Sequence, residues 1–83
     1  MYLDEIGQII LHARKNQKLS QQQLASQLGM SRATLSALEN GTIAEIGIRK
    51  IMAICAALGL ELMVQQKVSR PTLQQLIKEQ QRA

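Results

Sequence analysis

Leu3, Ile6, Ile10 and Ala13 recur at intervals of three and four, which places them on one stripe of a first helix over residues 4–16. Arg14, Lys15 and Lys18 follow at its C-terminal end, where the helix dipole favours positive charge. Ser20 opens a second helix as its N-cap, and Gln23 three residues on completes a capping box. Leu19 and Leu24 have the spacing of a hydrophobic staple across that start. Gly29 stops the helix, because it tolerates the left-handed conformation that follows a last turn. Ser31 opens a third helix, and Met30 and Leu35 repeat the staple spacing. Asn40 and Gly41 end it, and a loop runs to Gly47. Ile48, Ile51, Met52, Cys55 and Leu58 mark the apolar stripe of a fourth helix, stopped by Gly59.

Two capped helices joined by about three residues around a glycine have the geometry of a helix-turn-helix. Ala25 fits that geometry, since a small side chain lets the third helix cross closely over the second. Leu24, Leu28, Leu35 and Leu38 fill the angle between them. After Gly59 the period changes. Leu60, Leu62 and Val64 alternate with Glu61, Met63 and Gln65, which predicts a strand over residues 60–67. A lone strand leaves its backbone groups unpaired, so it calls for a partner strand from another chain. A twofold copy is the natural partner, with Leu60, Leu62, Met63 and Val64 at the dimer interface. Residues 69–71 break the chain. Residues 72–80 read either as a short helix, with Thr72 and Gln75 as a capping box, or as a frayed tail. The expected architecture is all-α, a compact domain of four to five helices with one C-terminal β-strand pairing across a dimer. It spans residues 1–67, and residues 68–83 form a tail.

Composition narrows the function. A chain of 83 residues is one domain with a thin core, which adds to the case for a dimer. One Cys and one His supply neither a disulfide framework nor a tetrahedral metal site. Cys55 lies on the fourth apolar stripe and reads as a core residue. His12 has no nucleophile or carboxylate spaced to serve it. With no catalytic signature, neither an enzyme nor a cofactor is expected. The net charge is +4. Between Arg14 and Lys50 stand Arg14, Lys15, Lys18, Arg32, Arg49 and Lys50 against only Glu39 and Glu45. That balance suits a polyanion, or else an ordinary solvated surface. One Tyr with no Phe and no Trp counts against RNA and single-strand binding, which stack bases on aromatic rings. Double-stranded DNA remains. No signal-like start and no apolar run near about 18 residues occurs, which predicts a cytoplasmic protein without a membrane segment.

Residues 20–41, SQQQLASQLGMSRATLSALENG, resemble the XRE-type helix-turn-helix family through the joint pattern S-Q-x-x-L-A-x-x-L-G-x-S-x-x-T-L-S-x-L-E-N-G. The resemblance implies a lambda-repressor-like fold whose third helix enters the major groove and reads bases from its N-terminal residues. Leu35 and Leu38 must face the core, which leaves Ser31, Arg32, Ala33, Ser36 and Ala37 outward. Arg32 can donate two bonds to a guanine edge or clamp a phosphate, and Ala33 can touch a thymine methyl. Ser31 can cap, contact DNA, or do both. In the family the residue matching Gln21 bonds a phosphate and braces the third helix. Gln22, Asn40, Thr42, Arg49 and Lys50 are further backbone candidates, or ordinary surface. The resemblance implies that Arg14 and Glu39 form a structural salt bridge.

The segment 59–66, GLELMVQQ, adds a resemblance to HipB-like antitoxins, whose strands pair in the dimer. Such an antitoxin represses its own operon at a palindromic operator and holds a HipA-like kinase toxin. The tail after Arg70 departs from that pattern. Three functions therefore stay open: an autorepressing antitoxin, a stand-alone phage- or plasmid-type repressor, and a protein-binding adaptor.

Overall fold

The computed structural model describes residues 2–67 of the chain. Four helices follow in order: α1 (Leu3–Asn16), α2 (Gln21–Leu28), α3 (Arg32–Glu39) and α4 (Ile48–Ala57). The expected tail at 68–83, with its alternative short helix at 72–80, lies outside the described residues.

Local chemistry explains where each helix begins and ends. Asp4 and Glu5 in the first turn of α1, and Arg14 and Lys15 in its last, complement the helix dipole. The chain leaves α1 through Lys18, which holds a left-handed φ of 58°. Ser20 Oγ then accepts from the Gln23 N–H at 3.0 Å, and Gln23 Oε1 accepts from the Ser20 N–H at 2.8 Å. These reciprocal bonds satisfy two donors that the helix itself leaves unpaired. Gly29 closes α2 at φ 65°, and the Met30 N–H reaches back to the Ala25 carbonyl at 3.0 Å. Ser31 caps α3 by accepting from the Thr34 N–H at 3.0 Å. Each hydroxyl cap is worth about 1 kcal/mol, a large increment for so small a domain.

The core gathers one face from every helix. Ile10, Leu24, Ala25, Leu35, Leu38, Ile51, Ile54, Cys55 and Leu58 are buried. Ala25 is fully buried, as a close α2–α3 crossing requires. The crossing of α1 over α3 is also close. A Cβ on Gly7 would stand 1.9 Å from the Leu38 carbonyl oxygen, so only glycine lets the two backbones meet there.

Two expectations change. The fourth helix buries Ile51, Ile54, Cys55 and Leu58, whereas Ile48 and Met52 are exposed. Its sequence offers two overlapping apolar stripes, and packing against the other helices selects the one through Ile54. No strand occurs among the described residues, and residues 60–67 carry no regular ladder. A strand is defined by its partner, and a single chain offers this segment none. The expected alternation holds only as far as Leu62, and Val64 departs from it. Leu60 and Leu62 are half-buried against the core, while Met63 and Val64 are exposed, Val64 at 96%. An open apolar groove of about 190 Å³ lies between this segment and the Ile6–Ile9–Ile10 side of α1.

Candidate nucleic-acid interface

The first turn of α3 presents the side chains most available to a partner. Ser31, Arg32 and Ala33 are exposed there, while Ser36 and Ala37 are half-buried. Ser31 is not idle, since its Oγ accepts from the Thr34 N–H and also pairs with Thr34 Oγ1 at 2.7 Å. Ser36 Oγ accepts from Asn40 Nδ2 at 3.4 Å, which ties the far end of α3 to its middle. Thr42 is exposed, and its Oγ1 donates to the Ala37 carbonyl at 3.4 Å. Gln22 is exposed on α2, with its amide donating to Ser26 Oγ at 2.9 Å. Arg49 and Lys50 stand exposed in the first turn of α4. Gly47 caps that helix without a side-chain bond, so its first N–H groups have no side-chain acceptor and stand beside two cations.

Behind this surface lies a buried ion pair. Arg14 Nε and Nη2 donate to the two carboxylate oxygens of Glu39 at 2.7 and 2.8 Å, a bidentate pairing. Arg14 Nη1 also donates to the Leu19 carbonyl at 2.7 Å. Gln21 Nε2 donates to Glu39 Oε1 at 2.9 Å. One carboxylate thus joins α1, the start of α2 and the end of α3. Burial works against ionisation of Glu39. The bonds from Arg14 and Gln21, with the charges of Arg14 and Lys15, outweigh it and hold the carboxyl below its ordinary value. The bond to Glu39 in turn raises Arg14. No buried side-chain nitrogen or oxygen lacks a partner among the described residues.

Because Arg14 and Glu39 neutralise each other inside, the exposed charge of this half is Lys15, Lys18, Arg32, Arg49 and Lys50 against Glu45. The outer surface is therefore more one-sided than the sequence count suggests. Cys55 is buried, and burial pushes its thiol above the usual range, which disfavours the reactive thiolate. Among the described residues no cluster of three metal-ligating side chains occurs. None of the described helices is long and apolar enough to cross a membrane.

Three residues here carry weight that the sequence reading missed. Gly7 is one, and its mid-helix position is the signal, since glycine weakens a helix unless backbone approach requires it. Gln8 and Gln17 are the others, with amides that reach across to α3 and to the end of α4. Nothing in their spacing marks them.

Two capped helices meeting at Gly29, with the second exposing its first turn, define a helix-turn-helix protein. The helix-turn-helix family model matches residues 10–65, more than half of the chain. The chain belongs to this XRE-type helix-turn-helix family. It is similar to an uncharacterised HTH-type transcriptional regulator of Sinorhizobium fredii, with 30% identity over 74 residues. That match takes in 89% of this chain but 37% of the relative, so the chain spans little more than a third of the relative's length.

Proposed function

We propose that this chain is a homodimeric transcriptional repressor that binds double-stranded DNA sequence-specifically, with α3 in the major groove. The carrying observation is the exposed first turn of α3, held from behind by the Glu39 cluster at its other end. In this reading Arg32 donates to guanine O6 and N7, Ala33 meets a thymine methyl, and Ser36 and Ala37 line the groove wall. Ser31 caps and contacts together. Gln21 keeps one amide hydrogen on Glu39 and offers its other to a phosphate. Gln22, Asn40, Thr42, Arg49 and Lys50 meet the backbone on either side, which sets register rather than sequence choice.

Arg32→Ala tests the base-reading role. Using a duplex that the wild type selects from a randomised pool, the variant is expected to lose about 1–3 kcal/mol of specific binding and to relax one position per half-site. Fluorescence anisotropy on matched and altered duplexes measures both. Unchanged sequence preference would return α3 to a phosphate-binding or protein-binding role.

A palindrome-reading dimer places its two α3 helices about 34–36 Å apart or a multiple of that. Residues 60–67 are the proposed dimer strand. Leu60 and Leu62 anchor it on its own core, which leaves the backbone edge, Met63 and Val64 for the second copy. Proline at Met63 removes a ladder donor and is expected to shift the protein toward monomer in analytical ultracentrifugation. A sedimentation profile identical to the wild type would place the dimer contact elsewhere.

Within this class we favour an autorepressing antitoxin. The support is the resemblance of segment 59–66 to HipB-like proteins, with a HipA-like kinase toxin as its second partner. A kinase-like reading frame beside the gene supports that choice. Its absence favours the stand-alone repressor.

A further inference from the structure

Among the described residues, two amides outside the reading motif make the side-chain hydrogen bonds of longest reach. Gln8 Nε2 donates to the main-chain carbonyl of Glu39 at 3.2 Å, across 31 positions. Gln17 Nε2 donates to the main-chain carbonyl of Leu58 at 2.7 Å, across 41 positions. Both acceptors sit at a helix end, where the last carbonyls have no partner within the helix. At the end of α3 the other carbonyls are already taken. Ser36 receives the Asn40 N–H, Ala37 receives those of Thr42 and Ile43, and Leu38 receives that of Gly41. The Glu39 carbonyl is left to Gln8.

One strut, α1 with its C-cap Gln17, therefore caps both α3 and α4. α3 carries the proposed reading residues. The end of α4 is where the proposed dimer segment departs, through Gly59 at φ 72°. The Leu58 carbonyl belongs to the peptide plane that enters that turn. A donor on it holds that plane, alongside the Leu60 N–H bond to the Cys55 carbonyl at 2.8 Å, and so bears on the direction in which residues 60–67 leave.

We propose that Gln8 and Gln17 are positioning residues that fix the reading helix relative to the dimerising segment, and through it the spacing of half-sites the dimer accepts. This rests on the homodimeric DNA-binding reading above. In it neither glutamine touches DNA. The lever is long. With reading helices about 34 Å apart, each lies about 17 Å from the dyad, and about 10° of slack moves it by about 3 Å. That is close to one base-pair step of about 3.4 Å.

The test uses the full chain and duplexes bearing two copies of the half-site that the wild type selects from a randomised pool. The spacer is set at the preferred length and one base pair longer or shorter. Affinity ratios between spacers are measured for wild type, Gln8→Met, Gln17→Met, Gln8→Lys and Gln17→Lys, with a thermal melt of each. Methionine keeps length and helix propensity but cannot donate, whereas lysine restores an N–H donor at similar reach. The expected result is a fall of about threefold to tenfold in spacer discrimination for each methionine variant, the worth of one net hydrogen bond. Lysine is expected to recover it. A stability loss alone lowers binding to every duplex equally and leaves the ratio untouched. An unchanged ratio in the methionine variants, or no recovery with lysine, overturns the positioning role while the DNA-binding reading stands. A wild type that shows no spacer preference overturns the palindrome-reading dimer and this inference with it.

Discussion

Replacing Arg14 by leucine is expected to remove about 3–5 kcal/mol of stability, because Glu39 is then left buried without its guanidinium. A domain of this size holds about 0.05–0.15 kcal/mol per residue, so the loss is a large share of the total. Urea denaturation followed by circular dichroism measures it. The control is the double variant Arg14→Leu with Glu39→Leu. It removes both charges together and is expected to be markedly more stable than Arg14→Leu alone, since well-packed apolar replacements of a buried pair are often neutral or better. A double variant no better than the single one would mean that the pair is not the source of the loss. The same pair gives the wild type an acid-sensitive fold. The folded carboxyl of Glu39 titrates below its ordinary value of 4.5. Its contribution is therefore complete above that value and lost as the pH falls through the lower folded value. Denaturation midpoints across the acid range follow this directly.

Gly7→Ala is the second large effect. Alanine normally strengthens a helix interior by about 1 kcal/mol over glycine. Here the added Cβ would lie 1.9 Å from the Leu38 oxygen and 2.9 Å from the Leu38 carbonyl carbon. The obstacle is backbone, which has no rotamer to escape into, so α1 and α3 must separate. Overpacking of this kind costs about 3 kcal/mol or more, well beyond the helix gain. A lowered thermal midpoint is expected, together with faster amide exchange along α3. A midpoint equal to or above the wild type would show that the crossing yields easily.

The starts of α2 and α3 and the stops of α2, α3 and α4 are readable from the sequence because each is set by a local rule. Ser20 with Gln23, Ser31 with Thr34, and the left-handed glycines at 29, 41 and 59 act within a few residues of themselves. The leucines of α2 and α3 are readable for the same reason, since helical period fixes their face. What depends on distant partners is not readable that way. The buried face of α4 is ambiguous because both of its stripes are apolar, and only the surrounding helices choose Ile54 over Ile48 and Met52. The Arg14–Glu39 pairing comes from family resemblance, as no spacing rule links positions 25 apart. Gly7, Gln8 and Gln17 act on backbone far along the chain, and composition cannot announce such an encounter. The alternation at 60–67 predicts a strand, but the described residues form none, because a ladder requires a second edge and alternation of side chains alone does not supply it.

The Glu39 cluster and the exposed first turn occupy opposite ends of one short helix. Seven residues at about 1.5 Å rise separate Arg32 from Glu39 by about 10 Å. Substitutions that far apart, with no shared partner, add independently. The outward positions 32 and 33 can therefore be exchanged without disturbing the joint that holds α3. In the proposed reading, recognition is free to drift through a few surface side chains, while the frame that presents them stays fixed by Gly7, Arg14, Gln21 and Glu39. A new target costs such a fold almost none of its stability, and a lineage built on it can diversify in address while remaining the same object mechanically.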